Sequence, residues 1–250
     1  MAKPISIITA TYNSARTVTD TLHCIQHQDY PAIEHIIVDG QSSDDTLKIV
    51  GQFSHVTKII SEKDGGIYDA MNKGIALASG EIIGILNSDD IYTNKFVLSK
   101  VASVFEDEKV DGCYADLQYV HTNDINKVVR TWRSGVCRPG SFHKGWMPPH
   151  PTLFLRRHVY AEAGIFNTSL KSAADYELML RIFVKHSFHI HYLPEFIVKM
   201  RTGGLSNASF QHRIRANRED RKAWEINGLR PGAFTLYLKP IRKIVQFKIL

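Results

Sequence analysis

Short apolar runs rich in β-branched residues alternate with longer stretches whose apolar positions fall three or four apart. That is the pattern of buried strands alternating with amphipathic helices. Residues 5–9, 33–38, 56–60 and 81–86 read as strands. Helices are predicted between them: 14–27 with Val18, Leu22 and Ile25 on one face, a second through Leu47, Val50 and Phe53, and a third over 67–78. Ser43-Asp44-Asp45-Thr46 supplies an N-cap signal for the second. The repetition predicts an α/β fold, a Rossmann-like, mostly parallel sheet with helices on both faces.

Past residue 100 the pattern loosens. A helix is predicted at 101–105, a strand at 113–120 and another at 128–132. Residues 135–151 are rich in Gly, Pro, His and Trp, have no period, and read as a long functional loop. A helix follows at 174–185, then strands at 190–193 and 196–200, a turn at 201–204, a basic helix at 210–226 and a second basic, apolar segment at 229–250.

Of the 250 residues, 44% are hydrophobic and 22% charged, which excludes disordered and collagen-like classes. A chain of this length buries roughly three-quarters of its unfolded surface and needs no disulfide or structural metal. Cys24, Cys113 and Cys137 are far apart with no CxxC spacing, so a reducing cytoplasm is the expected compartment. The N-terminus runs straight into a strand pattern, so no signal peptide is expected. No apolar run approaches the ~20 residues a bilayer span requires.

Net charge is +6, and its placement matters more than its sum. Residues 1–200 hold 20 basic and 22 acidic side chains, whereas 201–250 hold 11 and 3. The last stretch interleaves Leu238, Ile241, Ile244, Val245 and Ile249 with Lys239, Arg242, Lys243 and Lys248. Such a segment suits an anionic membrane surface, or a core-packing helix with a solvated basic face. It carries no recognisable nucleic-acid motif.

Three strands each deliver a carboxylate to one edge of the sheet: Asp39, Asp64 and Asp89. Open α/β sheets bind ligands outside the carboxyl ends of their strands. The first strand–helix turn, residues 9–16, has neither GxGxxG nor GxxxxGK[ST], which argues against a dinucleotide fold or a P-loop. Asn87-Ser88-Asp89-Asp90 instead offers hard oxygen ligands for Mg²⁺ or Mn²⁺ on a diphosphate. Taken singly, each site is also explained without a ligand. Asp89 or Asp90 would cap a helix beginning near Asn94, and Asp64-Gly-Gly66 would be an ordinary turn.

The motifs together resemble glycosyltransferase family 2. Ser6-Ile-Ile-Thr-Ala-Thr-Tyr-Asn13, Ile36-Ile-Val-Asp-Gly-Gln-Ser-Ser-Asp-Asp45, Glu62-Lys-Asp-Gly-Gly66 and the segment from Ser79-Gly-Glu81 to Asp90 follow that family's order and spacing. The resemblance implies a GT-A fold, with a nucleotide-sugar-binding half (1–105), an acceptor-binding and catalytic-base half (106–200) and a basic helical tail (201–250). It implies that Thr11, Tyr12 and Asp39 hold the base, that Asp64 lies near the nucleoside, and that Asp89, assisted by Asn87, binds metal on the diphosphate. Asn87 stands where the family has its first Asp.

Ala174-Asp-Tyr-Glu-Leu-Met-Leu-Arg181 is similar to the family's Glu-Asp segment, with Ala174 in place of Glu, and makes Asp175 the general base. Without the resemblance, Asp175 is a helix-start carboxylate and Glu177–Arg181 an i,i+4 pair. Trp146 and His150 are candidate acceptor contacts through stacking and hydrogen bonding, or parts of a Pro-rigidified connection.

The implied activity is metal-dependent, inverting, hexosyltransferase-type transfer from a nucleotide diphosphate donor, a UDP-sugar foremost. The implied acceptor is a glycan or a lipid-linked acceptor in cell-surface polysaccharide biosynthesis, with the enzyme cytoplasmic or peripheral at the inner membrane face. The departures at Asn87 and Ala174 keep a second function class open, a sugar-nucleotide-binding accessory protein without transfer activity.

Overall fold

The computed structural model describes residues 2–186, 188–203 and 210–244, and at 210–214 and 240–244 the backbone alone. The first part of the chain runs β1 (Ile5–Thr11), α1 (Val18–Gln26), β2 (Ile33–Asp39), α2 (Thr46–Val50), β3 (Val56–Ser61), α3 (Ile67–Leu77) and β4 (Ile82–Ile85). Next come β5 (Asp90–Tyr92), α4 (Val97–Val104), β6 (Gly112–His121) and β7 (Asp124–Trp132). Then follow β8 (Phe154–Arg156), α5 (Arg157–Ala163), α6 (Ala174–Leu180), β9 (Ile190–Arg201), α7 (Phe210–Ile226) and α8 (Thr235–Ile244).

The strands lie in the order β3-β2-β1-β4-β8-β6-β9-β5, with β7 paired to β6. The first four are mutually parallel. From β8 onward the sheet is mixed: β8 is antiparallel to both β4 and β6, β9 is parallel to β6, and β5 is antiparallel to β9.

β1 is buried along its whole length because both of its faces are covered. Ile8 and Ala10 join Ala70, Met71 and Ile75 of α3 in one core, while Ile5 and Ile7 join Ile25 of α1 and Leu98 and Val101 of α4 in another. Helix α3 approaches the sheet closely at Gly74, where a Cβ would stand 2.3 Å from Ile8 Cγ2. On the opposite face of β2, His35 is buried against Thr9 and His55, each 3.1 Å away. Burial, with the charge of His55 second, pushes its pKa down to about 3, so it packs as a neutral ring.

The α/β class and the first four strands match expectation, and the later elements differ in instructive ways. The predicted strands 190–193 and 196–200 are one strand, β9, whose register against β6 shifts where Pro194 and Glu195 bulge out. The helix predicted at 174–185 is α6 followed by a π turn at Arg181–Lys185. Within 135–151 lies a short 3₁₀ turn, Phe142–Lys144. Strands β5 and β8 and helix α5 had no separate signal.

The basic tail divides. Ala223 and Trp224 of α7 and Leu236 of α8 belong to the core that also holds α3, α5 and α6. Phe234 and Tyr237 are 72% and 65% exposed. Val245, Lys248 and Ile249 lie outside the described residues, as do the side chains of Ile241, Arg242, Lys243 and Ile244.

Candidate active site

β1 and β2 pair in a register that sets Thr11 opposite Asp39, and β3 sets Ser61 opposite Asp39 on the other side. Three strand ends therefore converge on one buried carboxylate. Asp39 Oδ1 accepts from Thr11 Oγ1 at 2.9 Å and from Ser42 Oγ. Its Oδ2 accepts from Ser42 N at 2.9 Å and Ser61 Oγ at 2.8 Å. Burial alone would raise this carboxyl; the donors from Ser42, Ser61 and Thr11 outweigh it and hold Asp39 below the usual carboxylate range.

Tyr12 follows β1 with its ring 67% exposed. A Cβ on Gly40 would stand 2.5 Å from Asp64 Oδ2 and 3.4 Å from the Tyr12 ring, so only glycine lets these side chains close around the end of β2. Asp64 Oδ1 accepts from Gly66 N at 2.9 Å, and Gly66, at φ +116°, opens α3. The loops after β1 and β2 are laced together. Asn13 N donates to Ser42 Oγ at 2.8 Å and Ser43 N to Asn13 Oδ1 at 2.9 Å, with Asn13 and Gln41 both at positive φ.

Asn87 to Asp90 turn the chain from β4 into β5. Neither aspartate caps a helix: α4 begins at Val97, and Asn94 Oδ1 accepts from Phe96 N at 2.9 Å just before it. Ser88 Oγ lies 2.8 Å from Ser14 Oγ in the first turn. Arg201, at the end of β9, donates to the Asp89 carbonyl at 2.7 Å and pairs with Asp20. Asn87 Nδ2 donates to Asp90 Oδ2 at 2.8 Å.

Asn87 Oδ1 and Asp90 Oδ1 are buried with no hydrogen-bond partner among the described residues. Burial raises the Asp89 and Asp90 carboxyls, and on Asp90 the neighbouring Asp89 charge adds to it. Orphaned hard oxygens beside an Asp89 carboxylate fit Mg²⁺ or Mn²⁺, which relieve the cost of burying them. Among the described residues no group of three or more His, Cys, Asp or Glu could hold a metal. An ion here would complete its shell with substrate or water oxygens.

The opposite wall comes from the second half. Asp175, in the first turn of α6, accepts from the Tyr68 hydroxyl at 3.1 Å. Tyr68 belongs to the first turn of α3, directly after the Asp64 turn, so this bond ties that turn to α6. Tyr68 stacks on Phe166 at 5.5 Å, and His150 meets the same ring edge-on at 5.4 Å. Burial pushes the His150 imidazole below its ordinary pKa, with the Asp175 charge pulling the other way. Glu177 is buried, pairs with Arg181 at 2.8 Å, and is structural.

Trp146 is not brought to this wall. It is 5% exposed, donates through Nε1 to Ser134 O at 2.7 Å, and packs against Tyr114, Phe142 and Phe183. Its ring faces are spent in the core and are not offered to a sugar. Sequence reasoning missed Ser42, Ser61, Tyr68 and Arg201. Only Ser42, three residues after Asp39, carried a local signal; the others arrive by strand pairing or by packing between halves.

A mixed sheet with carboxylates on the carboxyl edge of its parallel half, faced by a helix-start aspartate, defines a glycosyltransferase of the GT-A fold. Residues 6–163 match the model of glycosyl transferase family 2, and the chain belongs to that family. A "PGL/p-HBAD biosynthesis glycosyltransferase" of Mycobacterium bovis is 29% identical over 221 residues, 83% of this chain and 81% of that protein. The crystal structure of S. aureus TarS 1-349 in complex with UDP-GlcNAc superposes with TM-score 0.71 at 20% identity, covering 90% of this chain and 65% of that one. The mannosyltransferase PcManGT from Pyrobaculum calidifontis, in complex with GDP-Man and Mn²⁺, gives 0.68 at 19% identity, covering 96% and 69%. This chain thus spans just under two thirds of the TarS 1-349 chain, and both structures share its fold.

Proposed function

We propose that this glycosyltransferase inverts a hexose as it moves it from a nucleoside diphosphate, UDP foremost, to a glycan or lipid-linked acceptor in cell-surface polysaccharide assembly. The observation that carries the reading is the Tyr68–Asp175 bond, which sets a carboxylate beside the helix that begins at the Asp64 turn. Residues 1–105 then hold the donor, 106–200 the acceptor and the base, and 201–250 the basic tail. A donor of the kind named for the TarS complex is in keeping with it, as is a relative named for PGL/p-HBAD biosynthesis.

In this reading Thr11, Tyr12 and Asp39 receive the base, with the exposed Tyr12 ring as a stacking platform. Asp64 faces the nucleoside. Asp89, with Asn87 Oδ1 and Asp90 beside it, would hold Mg²⁺ or Mn²⁺, which when bound neutralises charge on the diphosphate. Asp175 Oδ1 is occupied by the Tyr68 hydroxyl, so Oδ2 takes the proton of the acceptor hydroxyl. The acceptor oxygen bonds to the anomeric carbon from the face opposite the diphosphate. The carbon–oxygen bond to the diphosphate breaks, its electron pair leaves with the nucleoside diphosphate, and configuration inverts. His150, whose pKa feels the Asp175 charge, hydrogen-bonds acceptor or donor in this reading.

A screen of nucleotide sugars with Mg²⁺ or Mn²⁺ tests the donor assignment. UDP-sugars are expected to raise the melting temperature, by the equivalent of about 2.7 kcal/mol at a hundredfold excess over Kd. A rise with GDP- or dTDP-sugars alone would replace UDP, and no rise with any nucleotide would end the reading.

Membrane attachment is part of the same proposal. Phe234 and Tyr237 are exposed three positions apart at the start of α8, next to the exposed Arg230 in a region of 11 basic and 3 acidic residues. Vesicles containing phosphatidylglycerol are expected to sediment the protein, and Phe234→Ala with Tyr237→Ala to weaken this. Equal behaviour with neutral vesicles would remove the attachment.

A further inference from the structure

We infer that Glu219, on α7, is a positioning residue for Asp175. The inference deepens the reading of Asp175 as the base and rests on it. Helix α6 starts without a cap of its own: its N-cap residue is Ala173, no side chain caps it, and the next residue is the fully buried Ala174. The missing acceptor comes from another helix. Glu219 Oε2 accepts from Ser172 N at 2.6 Å and from Ala173 N at 3.1 Å, 46 residues away in the chain. A carboxylate on two amides at a helix start is a charge-assisted contact, roughly twice as strong as a neutral one. It fixes the backbone two and three residues before Asp175, where a small rotation moves the carboxylate off the acceptor hydroxyl.

Glu219 acts as one member of a set. Glu219 and Trp224 of α7, and Asn227 directly after it, each bind α6 or the two residues that lead into it. Trp224 Nε1 donates to the Tyr176 hydroxyl at 3.0 Å, and Asn227 Nδ2 to Glu177 Oε1 at 3.0 Å. Lys239 of α8 ties in Asp220 at 2.7 Å while lying 3.6 Å over the Tyr176 ring. The basic helix is thus a clamp on α6, gripping 172, 173, 176 and 177 around the one side chain, Asp175, that stays turned toward Tyr68. Burial, then Asp175 and more weakly Glu219, raises the Tyr68 hydroxyl, so it keeps its proton and its bond.

The test compares Glu219→Ala, Glu219→Gln and Asp175→Asn, with turnover counted per nucleotide-binding site so that unfolded protein does not enter. Glu219→Ala is expected to lower kcat roughly 10- to 10²-fold, the scale of a misplaced catalytic group, with the donor KM unchanged. Glu219→Gln keeps an oxygen on both amides and is expected to recover most of the loss. In the Asp175→Asn background, Glu219→Ala is expected to cost nothing further. Full kcat in Glu219→Ala beside a slow Asp175→Asn would overturn the positioning role alone. So would an undiminished additional loss in the double variant, since Glu219 would then act other than through Asp175. Full transfer by Asp175→Asn would sink the base assignment and this inference with it.

Discussion

Asp175→Asn is expected to leave nucleotide binding nearly intact while transfer falls by ~10²-fold or more, the range spanned by general-base catalysis. The substitution is nearly isosteric, and an amide oxygen can still accept the Tyr68 hydrogen bond. What it cannot do is carry away the acceptor's proton. No neighbour among the described residues is placed to replace it. Glu177 is buried and engaged by Arg181 and Asn227, and His150 has its proton affinity lowered by burial. Release of nucleoside diphosphate with acceptor present, set beside donor affinity from calorimetry, separates the two effects. Wild-type turnover in this variant would remove the assignment.

The parallel half of the sheet was legible because β1 and β4 are buried along their whole length and β2 and β3 keep β-branched residues at most positions between polar clusters. The carboxylates at their ends were legible for the same reason, since a strand boundary places the residue that follows it. Asp39 could be read as a ligand group, but its donor Ser61 could not, because Ser61 reaches it through β3 pairing rather than through sequence proximity. β5 and β8 are three residues each, too short to show a period.

Trp146 illustrates the opposite failure. An aromatic in a Gly- and Pro-rich stretch suggests sugar stacking, yet composition says nothing of orientation, and the ring turned inward to meet Phe142 and Phe183. Helix α7 was read as a basic tail because its charges dominate the count. The few residues that matter to α6, Glu219, Trp224 and Asn227, are spread along a polar helix with no apolar stripe to draw attention. Contacts between halves depend on packing, and local periodicity does not encode them.

Asp89→Ala is expected to abolish the Mn²⁺-dependent part of UDP affinity and to lower turnover by roughly 10²- to 10³-fold, the scale of losing one preorganised charge contact on a leaving group. The expectation stands despite the asparagine at position 87. That residue donates to Asp90 Oδ2 at 2.8 Å, which a carboxylate could not do. An aspartate there would set two buried, like-charged groups in contact, and one of them would have to take up a proton. The amide thus supplies a donor to Asp90 while its own Oδ1 has no partner among the described residues. Asp90 is engaged by Asn87 and holds the turn into β5, so Asp89 is the residue whose loss the diphosphate should feel. Titrating UDP into wild type and Asp89→Ala, with Mn²⁺ and then with excess chelator, measures this directly. Wild type should lose affinity on chelation and the variant should not. If chelator weakens both equally, the cation is held elsewhere.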